Sequence, residues 1–328
     1  MSTHATLPME RVPAVTASGL TKSYGDHHVL AGIDLAIPGG SIFALLGPNG
    51  AGKTTAVQLL TTLLPLDGGE AAVAGHDLRT SPDAVRANIG VTGQFSAVDG
   101  LMTGRENLRL MTRLHHLGRH TARAKVEELL VRFDLIDAAD RPAASYSGGM
   151  QRRLDLAMTL VGEPRVIFLD EPTTGLDPRS RRDVWAAIRE LVAAGATVFL
   201  TTQYLEEADQ LADDIAVLDG GRIIAQGTAD ALKRRVPGGH VELQLADEGL
   251  LGQASSVLAQ GEPNVERLTL EVPHDGSASG LRDLLDNLAR ADVPVVSLAT
   301  RTPDLDDVFL SLTDRTAAQA AQTEGTGR

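Results

Sequence analysis

Apolar positions along this chain fall into two rhythms, and their alternation predicts an α/β protein. Short β-rich runs stand at Ser41–Gly47, Ile89–Gln94, Val166–Asp170, Thr197–Thr202 and Asp214–Asp219. The first, third and fourth are near-continuous apolar stretches, the pattern of strands covered on both faces. Helical runs fall at Lys53–Leu64, Gly104–Leu117, Thr121–Phe133 and Ser180–Leu191. The middle two lie together between the second and third strands. They break the strand–helix alternation and predict a helical subdomain, about 95–160, inserted in a domain spanning 14–235. Pro237-Gly238-Gly239 marks a linker. Beyond it, strand runs at His240–Ala246, Val265–Val272 and Val295–Ala299 alternate with helical runs at Leu281–Arg290 and Leu305–Leu312. That predicts a small α/β accessory domain over 240–316. The ends, 1–13 and 317–328, are expected to be disordered tails.

Composition narrows the class. A length of 328 residues suits one large domain and a smaller one. With 43% hydrophobic and 22% charged residues the chain reads as a soluble globular protein. Aromatics are only 3%, so the core has to come mainly from Leu, Val, Ile and Ala. A formal net charge of −13 argues against nucleic acid as a partner. The absence of cysteine excludes disulfides and cysteine-ligated zinc and fits a reducing cytoplasm. Met1–Arg11 lacks the apolar core of a signal peptide. The longest uncharged stretch, Leu35–Gly52, is broken by Pro38 and Pro48 and predicts no membrane span. Work at a membrane would therefore require docking to something else.

The chemistry starts at Gly47-Pro48-Asn49-Gly50-Ala51-Gly52-Lys53-Thr54, a phosphate-binding loop set between an apolar strand and a helical run. Its glycines let backbone N–H groups converge on phosphate oxygens at a helix N-terminus. Lys53 supplies a point charge for the β- and γ-phosphates of ATP, and the Thr54 hydroxyl is a hard ligand for Mg²⁺. Thr55 joins this ATP-binding set. Further on, the apolar run Val166–Leu169 ends in Asp170-Glu171-Pro172. Phosphoryl transfer needs one acid near the metal and one group to orient the attacking water. Asp170 is assigned to the metal and Glu171 to the water. Neighbouring side chains of a strand point apart, yet at the strand's end the chain turns and both can serve one site.

Tyr146-Ser147-Gly148-Gly149-Met150-Gln151-Arg152 places an N-capping serine and two glycines at a helix start, a second anion site far from the first in sequence. Here the chain resembles the ABC ATPase family, whose signature is usually Leu-Ser-Gly-Gly-Gln followed by a basic stretch. The resemblance implies an ABC-type P-loop fold with a mixed sheet core and helical insertion. It implies that two copies pair head to tail as a homodimer, each ATP held between one chain's phosphate loop and the other's signature. It also implies that the insertion docks a separate multispanning membrane permease, with the ATPase peripheral on the cytoplasmic face of the cell membrane. Tyr24 resembles the aromatic that stacks on adenine, although a lone Tyr also fits a structural role. Gln94 resembles the Q-loop glutamine near metal and water. Asp177, in Gly175-Leu176-Asp177, resembles the D-loop acid at the subunit interface, and Pro178 after it also fits a plain helix start.

One position departs from that pattern. Where the family usually places a histidine on the γ-phosphate, this chain has Gln203, which can donate a hydrogen bond but cannot carry a proton charge. Either the site is degenerate and hydrolyses poorly, or Glu171 suffices for catalysis and Gln203 positions phosphate; the other catalytic positions are intact and favour the second. Met150 in place of the signature glutamine is a milder change. Thr201-Thr202-Gln203-Tyr204-Leu205-Glu206-Glu207, Val91-Thr92-Gly93-Gln94, the signature run and Leu305-Asp306-Asp307-Val308-Phe309-Leu310 together resemble the daunorubicin-resistance ATP-binding proteins, which power export of drugs or other hydrophobic compounds. The acids Asp304, Asp306 and Asp307 read as a charge bias at a helix start. The competing class, a soluble ABC ATPase acting on nucleic acid or ribosomes, is disfavoured by the single phosphate loop and the lack of long heptads. A nucleotide sensor that does not hydrolyse is disfavoured by Glu171.

Overall fold

The computed structural model describes residues 13–94, 96–234, 239–274, 277–301, 304–309 and 311. Residues 1–12 and 317–328 of the expected tails, Pro237-Gly238 of the expected linker, and positions 310 and 312 of the last helical run lie outside them. The chain divides after Ala229 into two units.

The first unit opens with a long hairpin, β1 (Pro13–Tyr24) and β2 (His27–Pro38), which the apolar pattern does not announce. The reason is local. The pairing shifts register between Ala17 and Leu20, at Leu20/Thr21 and again at Lys22/Ser23, so no clean period of two survives in the sequence. After it come β3 (Ile42–Leu46), α1 (Lys53–Leu60), β4 (Gly68–Val73), β5 (His76–Asp77), α2 (Pro82–Asn88) and β6 (Ile89–Thr92). Three helices follow, α3 (Gly104–Leu114), α4 (Arg119–Arg132) and α5 (Gly148–Thr159), before β7 (Val166–Asp170). The unit continues with α6 (Pro178–Ala193), β8 (Thr197–Thr202), α7 (Leu205–Leu211), β9 (Asp214–Asp219) and β10 (Arg222–Gly227), and the short helix α8 (Ala229–Lys233) comes next.

Two sheets organise this unit. Strands β2-β1-β4-β5 form an antiparallel sheet, and β10-β9-β3-β8-β7-β6 form a six-stranded sheet that is parallel except at β10. Every residue of β3, β7 and β8 is buried, as their unbroken apolar runs require. The inner face of the antiparallel sheet (Val15, Leu20, Ile33, Ile37) shares one core with Phe43, Leu45 and Phe168 of the larger sheet and Leu59 and Leu60 of α1. Aromatics are scarce, yet Phe43, Phe199 and Phe168 line up across three adjacent strands with centroids 5.3 and 5.4 Å apart. Parallel register sets the C-terminal ends of β3, β8 and β7 side by side, with Leu46 opposite Thr202 and Asp170 opposite Thr201.

The second unit is a split βαβ arrangement. Strand β11 (His240–Gln244), helix α9 (Glu248–Leu258), β12 (Glu262–Asn264), β13 (Thr269–Pro273), α10 (Ala278–Arg290) and β14 (Ser297–Arg301) give an antiparallel sheet in the order β12-β13-β11-β14. The strand expected over Val265–Val272 starts late, because residues 265–268, with Leu268 at φ 53, are the turn that joins β12 to β13. Helix α9 goes unannounced because two glycines dilute its pattern; Asp247 starts it by accepting from the Leu250 amide at 2.8 Å. Asp304 caps the 305–309 helix, accepting from the Asp307 amide at 2.9 Å.

The phenylalanine row predicts that Phe199→Ala costs about 3–5 kcal/mol, the usual range for emptying an aromatic site in a core. Chemical denaturation reads this directly, and a loss under about 1 kcal/mol would show that the rings do not carry the sheet.

Candidate functional site

Backbone geometry shapes the phosphate-binding loop. At Gly47 a Cβ would sit 2.3 Å from the Leu218 carbonyl oxygen, and at Gly52 (φ +106) it would meet Leu30 at 2.8 Å and the Val29 carbonyl oxygen at 2.9 Å. Neither position admits a side chain. Gly52 caps α1 without any side-chain hydrogen bond, and the first turn holds no acid, so its amides stay open to an anion. Lys53 is buried, with Nζ donating to the carbonyls of Gly47 at 2.8 Å and Pro48 at 3.1 Å. Thr54 beside it is exposed.

The acidic strand end meets this loop. Glu171 has φ 48, the left-handed region that costs a side-chain-bearing residue of order 1–3 kcal/mol. Its amide donates to both the carbonyl and the hydroxyl of Thr201, each at 3.1 Å, which holds the turn. The same Thr201 hydroxyl donates to Asp170 Oδ1. Turned this way, Glu171 brings Oε1 to 3.4 Å from Lys53 Nζ, while Oε2 accepts from Thr174 at 3.2 Å. The structure thus gathers Asn49, Gly50, Gly52, Lys53, Thr54, Thr55, Gln94 and Glu171 around one cleft of about 340 Å³, with Val29 as its apolar wall. Strand β6 ends at Thr92, so Gln94 projects from the bend after it rather than from the strand expected to carry it.

Other predicted residues stand outside that lining. Asp170 is buried behind Thr201. Tyr24 is 50% exposed at the end of β1, with Lys22 Nζ 5.7 Å from its ring centroid. Gln203 is half-buried, just past Thr202, whose carbonyl accepts the Gly47 amide at 3.3 Å.

Ser147, Gly148, Gly149 and Asp177 form a second locus. Ser147 caps α5, accepting from the Met150 amide at 3.3 Å, and Gly148 is exposed. A Cβ on Gly149 would fall 2.7 Å from Ser180 Oγ, so α5 and α6 touch there. Asp177 caps α6, accepting from the amides of Arg179 and Ser180 at 3.0 Å and the Ser180 hydroxyl at 2.7 Å. That hydroxyl, with the two amides, holds its carboxyl below the usual range. Helix capping is therefore the work Asp177 performs within its own chain.

Sequence reasoning missed the groups that hold these parts in place. Thr201 carries no signal beyond a threonine at a strand end. Arg152 carries in sequence only the signal of a basic stretch after the signature, but it is buried and bonded to Asp155 at 3.2 Å. Burial works against the charge of each, lowering the Arg152 pKa and raising that of Asp155, while each partner opposes the other's shift. Glu207 is fully buried, with Oε1 accepting from Thr173 at 2.8 Å and from the Trp185 indole at 3.0 Å. Its spacing to Leu211, one helical turn on, was the available signal; Glu206 beside it is exposed.

Comparison with known proteins bears on the same residues. The ABC transporter family model matches residues 30–174. The chain is 51% identical to the daunorubicin resistance ATP-binding protein DrrA2 of Streptomyces coeruleorubidus, over 92% of this chain and 95% of that one. It is 46% identical to the daunorubicin/doxorubicin resistance ATP-binding protein DrrA of Streptomyces peucetius, covering 95% and 97%. Among solved structures, an ATP-binding subunit of an ABC transporter superimposes with a TM-score of 0.61 at 27% identity, over 68% of this chain and 92% of that one.

Burial pushes the Glu207 carboxyl upward, against the hydrogen bonds it accepts. With the folded value above the unfolded one, the stability tied to this proton is fully present below the ordinary Glu range and is lost as pH rises through the raised value. Glu207→Gln does not titrate. Its melting temperature should gain on the parent's as pH rises above the ordinary Glu range, and a gap that stays constant with pH would refute the shift.

Proposed function

The chain belongs to the daunorubicin- and doxorubicin-resistance family of ABC transporter ATP-binding proteins, enzymes that hydrolyse ATP, and from that premise we propose that two copies sandwich two ATP molecules and drive export of a drug-like or hydrophobic compound through a separate membrane permease. The observation that carries this reading is the division of the anion-binding features. Lys53, Gln94 and Glu171 share one cleft, while the capped start of α5 at Ser147–Gly149 does not line it. A second copy, related by a two-fold axis, would supply its own Ser147–Gly149 to complete each cleft.

The chemistry follows from the charges in the cleft. The γ-phosphate competes with Glu171 for Lys53 and with the Gly47 and Pro48 carbonyls for its protons. Once Lys53 turns to phosphate, the Glu171 carboxylate is free to polarise the attacking water. Gln203, beside the first loop glycine, would donate an amide hydrogen bond to phosphate. Tyr24 offers an exposed ring for adenine. Exposed Thr54 and Gln94 and the strand-end carboxylate of Asp170 are oxygen donors of the kind Mg²⁺ takes, and phosphate oxygens would complete its shell. When bound, Mg²⁺ would neutralise charge developing on the phosphates.

Among the described residues no helix is long and apolar enough to cross a membrane. Leu101, 93% exposed just before α3, and Leu114, 62% exposed at its end, offer apolar contacts for a permease on the cytoplasmic side of the membrane. Leu101→Asp should then weaken co-purification with the permease while leaving ATP binding intact; unchanged co-purification would remove this segment from the docking surface.

Glu171→Gln should lower steady-state turnover by about 10²–10⁴-fold and trap an ATP-bound dimer, whereas Gln203→His retains turnover. Wild-type hydrolysis by Glu171→Gln would overturn the assignment. Lys53→Ala and Ser147→Arg chains, each inactive alone, should regain ATPase activity on mixing, because the mixed dimer keeps one intact composite site. Failure to complement would count against the sandwich.

A further inference from the structure

Arg152 lies one helical turn inside α5, beyond the capped start at Ser147, and its side chain points into the protein rather than toward any anion site. Its guanidinium makes four hydrogen bonds. Nε donates to the Pro172 carbonyl at 2.7 Å and Nη2 to the Asp170 carbonyl at 3.4 Å, so the fork grips both flanks of Glu171. Nη1 donates to the Gly93 carbonyl, the residue before Gln94, at 3.1 Å, and to Asp155 at 3.2 Å. Asp155, three residues along the same helix face, accepts from the Ala97 amide at 3.3 Å and so holds the far side of the Gln94 bend. Both side chains are buried. One ion pair thus joins three segments: the signature helix, the turn that aims Glu171, and the loop that carries Gln94 just past the last β6–β7 rung, Thr92 opposite Leu169.

We propose that Arg152 and Asp155 are positioning residues for ATP hydrolysis, setting Glu171 and Gln94 of their own chain from the signature helix that meets the other chain's nucleotide. The last clause rests on the two-copy reading above; the positioning itself does not. A planar fork is needed to reach carbonyls on both sides of one residue, and a lysine ammonium keeps the charge without that geometry. Because a buried network of this kind moves as a unit or breaks, a shift of α5 reaches the catalytic turn and the Gln94 loop together.

The test uses full-length chains. Arg152→Lys should lower kcat about 10- to 100-fold with the ATP dissociation constant nearly unchanged, the signature of a misplaced catalytic group. Asp155→Asn should show the same split, more weakly, and serves if Arg152→Lys fails to fold. Equal loss of ATP affinity and kcat, or a fall in melting temperature with normal kcat in the folded fraction, would reduce the pair to a structural staple and overturn the proposal. The mixed dimer of Lys53→Ala and Ser147→Arg chains then separates the two readings. Placed in the Ser147→Arg chain, which carries the working Glu171, Arg152→Lys should cost several-fold more turnover than when placed in the Lys53→Ala chain. The reverse order would show that Arg152 serves the signature's grip on nucleotide and would overturn the proposal. A mixture that never complements would sink the two-copy reading, and the kcat measurement on single variants would still decide the positioning role.

Discussion

Glu171 keeps its left-handed backbone because Thr201 accepts its amide at both carbonyl and hydroxyl, and the approach of Glu171 to Lys53 in the candidate cleft depends on that local contact. The contact exists only because β7 and β8 pair in parallel with Asp170 opposite Thr201. A slip of β7 by one residue would flip its side chains between faces and carry Glu171 away from Lys53. Register is held by burial on both faces, with Phe168 and Phe199 packed across the pair. The site therefore draws its geometry from the most buried strands in the molecule.

Charge placement follows the same logic. Lys53 is buried, yet its charge is met by Glu171 and by two backbone carbonyls, so the cation does not stand unpaired. Arg152 and Asp155 satisfy each other and three further backbone carbonyls and one amide. Glu207 is the exception, a buried carboxyl on α7 held by a hydroxyl and an indole rather than by a cation hydrogen bond. It ties the helix after Gln203 to Thr173, just past the Glu171 turn, and to Trp185 of α6. Buried Asp155 and Glu207, half-buried Glu171 and the buried cations Lys53 and Arg152 thus knit the segments around the candidate cleft.

Much of this was legible in the chain itself. The apolar runs that became β3, β7 and β8 are near-continuous, so burial on both faces could be read from them. The phosphate loop was legible because its glycines answer to local steric demands, at Gly47 and Gly52 above all. The opening hairpin was not legible, since register shifts at Ala17/Leu20 and Lys22/Ser23 erase its period. Nor was the late start of β13, because a four-residue turn at 265–268 fills the first half of the apolar-looking run Val265–Val272.

The sequence by itself determined which groups are present and in what order: a loop for phosphate, a pair of acids, a capped glycine pair, and a glutamine where the family usually has a histidine. These are local matters, decided by residue type and near neighbours. Only the tertiary structure decided which of them share a cleft. Lys53 and Glu171 meet at 3.4 Å although more than a hundred residues separate them, whereas Ser147, much nearer to Glu171 in sequence, does not line the same space. It also decided that Arg152 and Glu207 turn inward while Gln151 is only half-buried and Glu206 is exposed. The physical reason is that a side chain's partner is set by strand register and helix phase, quantities summed over the whole fold, and neither is written at the residue concerned.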